Sequence, residues 1–139
     1  MRLQLTRRGD YAVRAVLALT EADRVMATPE LAEQMEIPVN FLPQIMPGLV
    51  RRGILTRRLG RNGGYTLGRP PESISLLEVI EAGEASVPAP ATCVLRGDRC
   101  RPSEPCRIHP AVSRASEAMR GVLAAANFAS LRNGASLEL

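Results

Sequence analysis

The middle of this chain constrains the fold most, because proline and glycine divide it into short units. Thr28-Pro29-Glu30 combines a cap, a first-turn proline and a first-turn acid, which predicts a helix start. Glu36-Ile37-Pro38 breaks that helix. Asn40 is expected to cap another, from about Phe41 to Arg52, with Gly53 as its left-handed end. Two short helices joined by a tight break predict a helix-turn-helix, whose second helix enters the DNA major groove.

A hairpin is expected directly after these helices. Residues 54–59 are predicted to form a strand, residues 60–64 a glycine-rich tip that allows positive φ, and residues 65–67 the return strand. A tip that carries arginine can enter a narrow minor groove, where negative potential is focused. Helix-turn-helix plus hairpin predicts a winged helix, mainly α with a small β wing. The alternative is a winged helix used only for protein contacts.

Two further helices flank this unit. Thr6 is expected to cap a first helix that runs to about Ala22. Ser75 and Glu78 have the spacing of a capping box, which predicts a short helix that Gly83 ends.

A long C-terminal helix is expected from near Pro110 to about Leu131, with His109 as its cap. Apolar residues alternate three and four positions apart along it, which is a heptad-like seam. The seam predicts a homodimer, and the alternative is that it packs on the protein's own core. Its members are Val112, Ala115, Met119, Val122, Ala126 and Ala129.

Positive charge is concentrated in the first half of the chain. All 18 basic residues are arginine, and residues 1–71 contain 11 of them against 6 acidic residues. Such a surface suits a polyanion, because the guanidinium offers forked donors to phosphate; the alternative is an ordinary solvated basic face. The expected contacts to double-stranded DNA are Asn40, Phe41, Gln44, Arg51, Arg52, Arg57, Arg58, Arg61 and Asn62.

Three cysteines lie close together, at Cys93, Cys100 and Cys106, with His109 following. An odd, clustered set in a chain without a secretory signal does not indicate a disulfide framework. Thiolates are soft ligands that suit an iron–sulfur cluster or zinc, so the three are expected to be metal ligands. The alternative is that they are free thiols.

Several functions are disfavoured by what the sequence lacks. No stretch approaches the roughly 20 apolar residues of a membrane span, and charged residues interrupt any signal-like start, so a cytoplasmic location is expected. A single histidine and no nucleotide-binding glycine loop argue against an enzyme with a small-molecule substrate.

The predicted organisation has four parts. Residues 1–83 form the winged helix-turn-helix DNA-binding domain, and residues 84–109 the cysteine-rich loop. Residues 110–132 form the dimerisation helix, and residues 133–139 a tail.

These motifs together resemble the Rrf-two (IscR/NsrR) family of winged-helix transcription regulators. The resemblance covers roughly residues 1–132, and the wing followed by a cysteine loop is its most specific combination. The matching stretches are Gly9–Arg14, Leu49–Leu55, Gly63–Pro71 and Ile74–Ile80.

The resemblance implies a dimeric DNA-binding regulator, in many members a repressor, that senses cluster supply, redox state or nitric oxide. It implies a 2Fe–2S or 4Fe–4S cluster held by the three cysteines. His109 lies where iron–sulfur-sensing relatives place a histidine ligand, and Asp10 where nitric-oxide-sensing relatives place a carboxylate. A zinc site or a thiol redox switch is the alternative, and an iron–sulfur or zinc enzyme a more distant one.

Three residues depart from the family pattern. Pro43 and Pro47 both fall in the predicted recognition helix, where Pro47 removes a backbone hydrogen bond and is expected to kink the helix. Leu59 stands before the wing-tip glycine, where the family often has arginine. Base preference therefore cannot be transferred from relatives.

Overall fold

The computed structural model describes residues 4–84, 103 and 106–132, and these residues form six α-helices and one two-stranded sheet. The helices and strands, in chain order, are α1 (Arg7–Ala22), α2 (Thr28–Gln34), α3 (Leu42–Arg51), β1 (Leu55–Arg58), β2 (Gly64–Leu67), α4 (Leu76–Glu84), α5 (His109–Ala125) and α6 (Phe128–Arg132). Short 3-10 turns at Val39–Phe41 and Pro71–Ser73 precede α3 and α4.

Two of the predicted helix starts are confirmed by their capping bonds. The Thr6 hydroxyl accepts a hydrogen bond from the backbone N–H of Gly9 at 3.1 Å. Ser75 and Glu78 form the reciprocal capping box: each backbone N–H donates to the other's side-chain oxygen at 3.2 Å.

The predicted caps of the two short central helices were wrong by about one residue. Thr28 is the first residue of α2 and Ala27 precedes it, because proline at the second position is tolerated within a first turn. Asn40 lies inside the 3-10 turn, and the capping position of α3 is occupied by Phe41. Gly53 follows α3 with a φ of 69°, as predicted, and α3 continues through Pro47 without interruption.

Gly83 does not end α4, which continues to Glu84. A Cβ at Gly83 would lie 2.4 Å from the Cβ of Ala12 and 2.9 Å from the carbonyl oxygen of Arg8. The glycine therefore lets α4 lie directly against α1.

The predicted long C-terminal helix is in fact two helices. Leu76 N–H donates to the Ala126 carbonyl at 2.8 Å, and Phe128 N–H donates to the Ile74 carbonyl at 3.1 Å. These bonds end α5 beside the start of α4. Phe128, which follows, is fully buried. His109 is not the cap either: it is the first residue of α5, and Ile108 precedes it.

The hairpin has the predicted place and direction. β1 and β2 are antiparallel, and Leu55 pairs with Leu67 at the base while Arg58 pairs with Gly64 near the tip. Gly60 and Asn62 have positive φ values of 93° and 61°, which closes the tip.

One hydrophobic core joins α1, α2, α3, α4, the base of the wing and α6. Burying each of its large apolar side chains contributes about 1.5–3 kcal/mol. The largest of these fully buried side chains include Leu19, Leu31, Ile45, Leu49, Ile54, Ile74 and Phe128. Helix α5 contributes no buried residue to this core.

Among the described residues, no helix is both long enough and apolar enough to cross a membrane.

Candidate nucleic-acid interface and metal ligands

Helix α3 has one buried face and one exposed face. Its buried residues are Leu42, Ile45, Met46 and Leu49. Asn40, Gln44 and Arg51, three of the predicted DNA contacts, are exposed. The structure therefore presents an outward face of the second helix of the helix-turn-helix, as a major-groove reader requires.

Phe41 is placed differently from the other predicted contacts. It is half-buried and packs edge-on against Tyr11 of α1, with ring centroids 5.1 Å apart. The ring therefore joins the start of α3 to α1. Arg8 of α1 adds a second link, because its guanidinium donates to the Gln44 carbonyl at 2.8 Å.

The wing brings the remaining predicted contacts together at its strands and tip. Arg57, Arg58, Arg61 and Asn62 are all exposed. None of the three arginines belongs to an ion pair found within the described part of the chain. They are thus available to an external anion such as a phosphate.

The wing is fixed to the end of the α1–α2 connection. Met26 and Tyr65 exchange two backbone hydrogen bonds, each 2.9 Å long. The approach is so close that a Cβ at Gly64 would lie 2.1 Å from the Met26 carbonyl oxygen. Only glycine fits there, so the orientation of the wing depends on Gly64.

Arg52 differs from the arginines of the wing because it has an acidic partner. Glu81 of α4 lies between two arginines, with one carboxylate oxygen 3.6 Å from Arg52 and the other 2.7 Å from Arg120 of α5. This cluster connects the end of α3 to α5 through α4. The local sequence pattern does not indicate this cluster, because its three residues lie far apart along the chain.

Cys106 and His109 are the two described members of the predicted cysteine site. Cys106 is half-buried and precedes α5, and its carbonyl accepts a hydrogen bond from the His109 N–H at 2.9 Å. The imidazole Nε2 is 3.3 Å from the Ser113 hydroxyl. Cys93 and Cys100 lie outside the described residues. A thiol and an imidazole on one turn have donor chemistry that fits a soft metal centre.

Asp10, the alternative fourth ligand, already has a partner. Its carboxylate forms an ion pair with Arg14 at 2.9 Å, and the second oxygen accepts from Arg14 Nε at 3.1 Å. Arg14 also lies over the Tyr11 ring, 5.8 Å from its centroid. The described residues alone contain no group of three metal-ligating side chains.

One ion pair outside these sites has a resolved electrostatic effect. The Arg24 guanidinium donates a hydrogen bond to Glu30 and lowers the pKa of that carboxyl, while the same bond raises the pKa of Arg24. Arg24 is exposed and Glu30 is half-buried, and they join the α1–α2 connection to the first turn of α2.

Comparison with known proteins gives one family over nearly the whole chain. The Rrf2 family, described as an iron-dependent transcriptional regulator, matches residues 5–134. The HTH-type transcriptional regulator IscR of Klebsiella pneumoniae (strain 342) is 32% identical over 123 residues, which is 87% of this chain and 74% of IscR. The protein aau3 of Rhizobium meliloti (strain 1021) is also 32% identical, over 87% of this chain and 79% of its own length.

Two solved structures share the fold. The IscR of T. potens superposes with a TM-score of 0.75 at 18% identity, covering 96% of this chain and 89% of its own. CymR, the global cysteine regulator of B. subtilis, has a TM-score of 0.75 at 20% identity, covering 97% of this chain and 100% of its own.

Proposed function

The chain belongs to the Rrf2 family of transcriptional regulators, and from that premise we propose that it is a homodimeric repressor controlled by an iron–sulfur cluster. Its relatives are regulators and not enzymes, in agreement with the sequence analysis. The observation that carries the proposal is the position of Glu81, which joins helix α5, whose first residue is the candidate ligand His109, to the end of the recognition helix.

DNA binding combines a reading helix with a positively charged wing. The exposed face of α3 enters the major groove, and the wing arginines reach the neighbouring phosphates or the minor groove. Asn40 and Gln44 supply hydrogen bonds on the reading face, while Arg51, Arg57, Arg58 and Arg61 supply the charge. The Arg52 guanidinium is shared with Glu81 and therefore contributes less to the phosphates.

The proposed ligands of the cluster are Cys93, Cys100, Cys106 and His109. The description of the family as iron-dependent supports iron over zinc. Asp10 is the alternative fourth ligand, and its carboxylate would have to leave Arg14 to bind a metal. When bound, the cluster supplies a redox-sensitive or displaceable centre. Cys106 and His109 position it at the start of α5.

The proposed dimer uses the exposed apolar side of α5. Met119 and Val122 of the predicted seam are 38% and 46% exposed in the single subunit. Val112 and Ala115 lie on the same side of the helix. A second copy of α5 would cover this stripe, and two recognition helices would then face two operator half-sites. Ala126 is excluded from this surface, because it is buried in the core.

Control of DNA binding follows from the link between α5 and α3. A change at Cys106 and His109 acts on the first turn of α5, and the Arg120–Glu81–Arg52 cluster transmits a shift of α5 to the end of α3. The iron–sulfur cluster changes operator affinity only if it stabilises one of the two positions of α5 relative to α3 more than the other.

Anaerobic purification followed by iron, sulfide and zinc analysis and a visible spectrum tests the ligand set. We expect a coloured protein with iron and sulfide, loss of colour in Cys93→Ala, weaker retention of the cluster in His109→Ala, and normal loading in Asp10→Ala. A colourless protein with one zinc per subunit would refute the iron–sulfur cluster and support a zinc site. Colourless protein without zinc that binds DNA differently after thiol oxidation would indicate the thiol switch.

Operator binding is tested with a duplex selected from a random-sequence pool by the purified protein. The affinity is expected to differ between cluster-loaded and stripped protein, and equal affinities would refute control by the cluster. Affinity should also fall about 10³- to 10⁵-fold between roughly 50 and 200 mM salt, as expected for a dimer that neutralises 6–10 phosphates. Arg61→Ala should weaken binding, whereas Arg114→Ala, on α5, should not.

A further inference from the structure

The recognition helix has an uncharged reading face. Residues 37–50 contain no aspartate, glutamate, lysine, arginine or histidine, although the chain as a whole has 18 arginines. Arginine bidentate to guanine is the commonest specific contact in the major groove. This chain has no such residue between the start of the 3-10 turn and Arg51 at the end of α3.

The exposed side of this segment is largely apolar. Val39 is 58% exposed, and Pro43 and Pro47 are exposed as well. Pro43 and Pro47 are four positions apart and lie along one side of α3, and Val39 lies in the 3-10 turn that leads into this helix. None of them belongs to the hydrophobic core. The stripe therefore faces outward on the element that a helix-turn-helix protein inserts into DNA.

Only two polar side chains accompany this stripe. They are Asn40 and Gln44, and the Gln44 amide donates a hydrogen bond to the Asn40 carbonyl at 3.2 Å. That bond orients the Gln44 side chain along the helix. Hydrogen-bonding capacity on the reading face is therefore small compared with its apolar surface.

Charge complementarity identifies the occupant of this face as DNA. Arg51 lies at one end of the stripe, and the exposed Arg57, Arg58 and Arg61 lie on the adjoining wing. These arginines form no ion pair with any residue that the structure describes. An apolar protein partner would not require such a border of cations, whereas phosphates on both sides of a groove do. Thymine is the base that presents an apolar group in the major groove, its C5-methyl.

We propose that Val39, Pro43 and Pro47 read thymine C5-methyl groups and set the base preference of this regulator. The proposal rests on the DNA binding proposed above. Removing one methyl from water changes affinity by about fourfold, so two or three contacts give a preference of one to two orders of magnitude. Asn40 and Gln44 then refine the choice among thymine-containing sites.

The test replaces thymine by uracil, which removes only the methyl group. A duplex selected from a random-sequence pool is resynthesised with uracil at each thymine in turn, and its affinity for the full-length protein is measured. We expect two or three positions per half-site at which uracil weakens binding about fourfold. In each of the variants Val39→Ala and Pro43→Ala, the weakening caused by uracil should disappear at one of those positions. Circular dichroism verifies that the variants fold.

Leu59→Ala is the matched control, because Leu59 is also apolar and is 80% exposed, but lies on the wing. This variant should change the affinities for the thymine and uracil duplexes by the same factor. Tight, salt-dependent binding that is indifferent to uracil, or a selected site without thymine, would overturn the methyl readout and leave the DNA-binding function intact. Failure to bind any duplex would overturn both.

Discussion

At the scale of single residues, two glycines illustrate how different the same residue can be in two helices. Gly83 of α4 faces Ala12 and the backbone of Arg8 at distances where no Cβ fits. Gly121 of α5 has no atom within 4 Å of its ideal Cβ position. The first permits a close approach between helices, and the second only adds freedom to the unfolded chain.

Gly83→Ala is expected to lower the free energy of unfolding by about 1–3 kcal/mol, because α1 and α4 must separate to accept the new methyl group. Gly121→Ala should instead raise it by about 0.5–1 kcal/mol, since alanine is the better helix former. Urea unfolding followed by circular dichroism measures both. Equal effects of the two substitutions would contradict the close packing at Gly83.

Residues that act through near neighbours in sequence were the predictable ones. The Ser75–Glu78 capping box and the Thr6 cap depend on a spacing of three residues, and both were correct. The proximity of Cys106 to His109 depends on a similarly short spacing. Gly83 was interpreted as a helix end because its contacts with α1 come from residues some seventy positions earlier.

At the scale of secondary-structure elements, the ion pairs among Arg52, Glu81 and Arg120 link the end of α3 to α4 and α5. All three side chains are between 33% and 53% exposed, so solvent weakens their attraction. The cluster therefore contributes little to overall stability, and its effect is expected in the relative position of the helices.

Glu81→Gln should change the free energy of unfolding by less than about 1 kcal/mol. It should nevertheless make the operator affinities of the protein with and without its iron–sulfur cluster more similar, so that their ratio moves towards one. Quantitative DNA-binding titrations of both forms give this ratio. Glu30→Gln, which breaks the exposed pair with Arg24, is the control and should leave it unchanged. An unaltered ratio in Glu81→Gln would show that α5 communicates with α3 by another route.

Elements whose ends depend on tertiary contacts were not predictable. The apolar seam continues in sequence through Ala126 and Ala129, so periodicity alone favoured one long helix. The backbone bonds that end α5 come from Ile74 and Leu76, which lie about fifty positions earlier in the chain. A local pattern carries no record of such distant partners, whereas the hairpin was found because its tip residues adopt positive φ locally.

At the scale of the whole molecule, α5 is the element that the single subunit leaves uncovered. None of its residues is buried, and its apolar side is formed by Val112, Ala115, Met119 and Val122. Glu117 lies on the opposite side of the same helix, as the helical period requires. A single subunit therefore offers two contrasting faces for substitution.

If two subunits pair through α5 as proposed, Val122→Glu is expected to give a monomer, because the pairing would bury unpaired carboxylates. Sedimentation equilibrium measures the association, and operator affinity should fall with it. Glu117→Arg on the opposite side should leave the dimer intact. Dissociation by both variants, or by neither, would place the subunit contact elsewhere.

The paired backbone bonds between Met26 and Tyr65 have one more consequence. They fix the distance between the helix-turn-helix and the hairpin, at a contact where only Gly64 fits. If both elements contact DNA as proposed, their fixed separation sets the spacing between the two contacts along the duplex. A DNA target with one extra base pair between these two contacts would be out of register with one of them, even if the bases at each contact were unchanged.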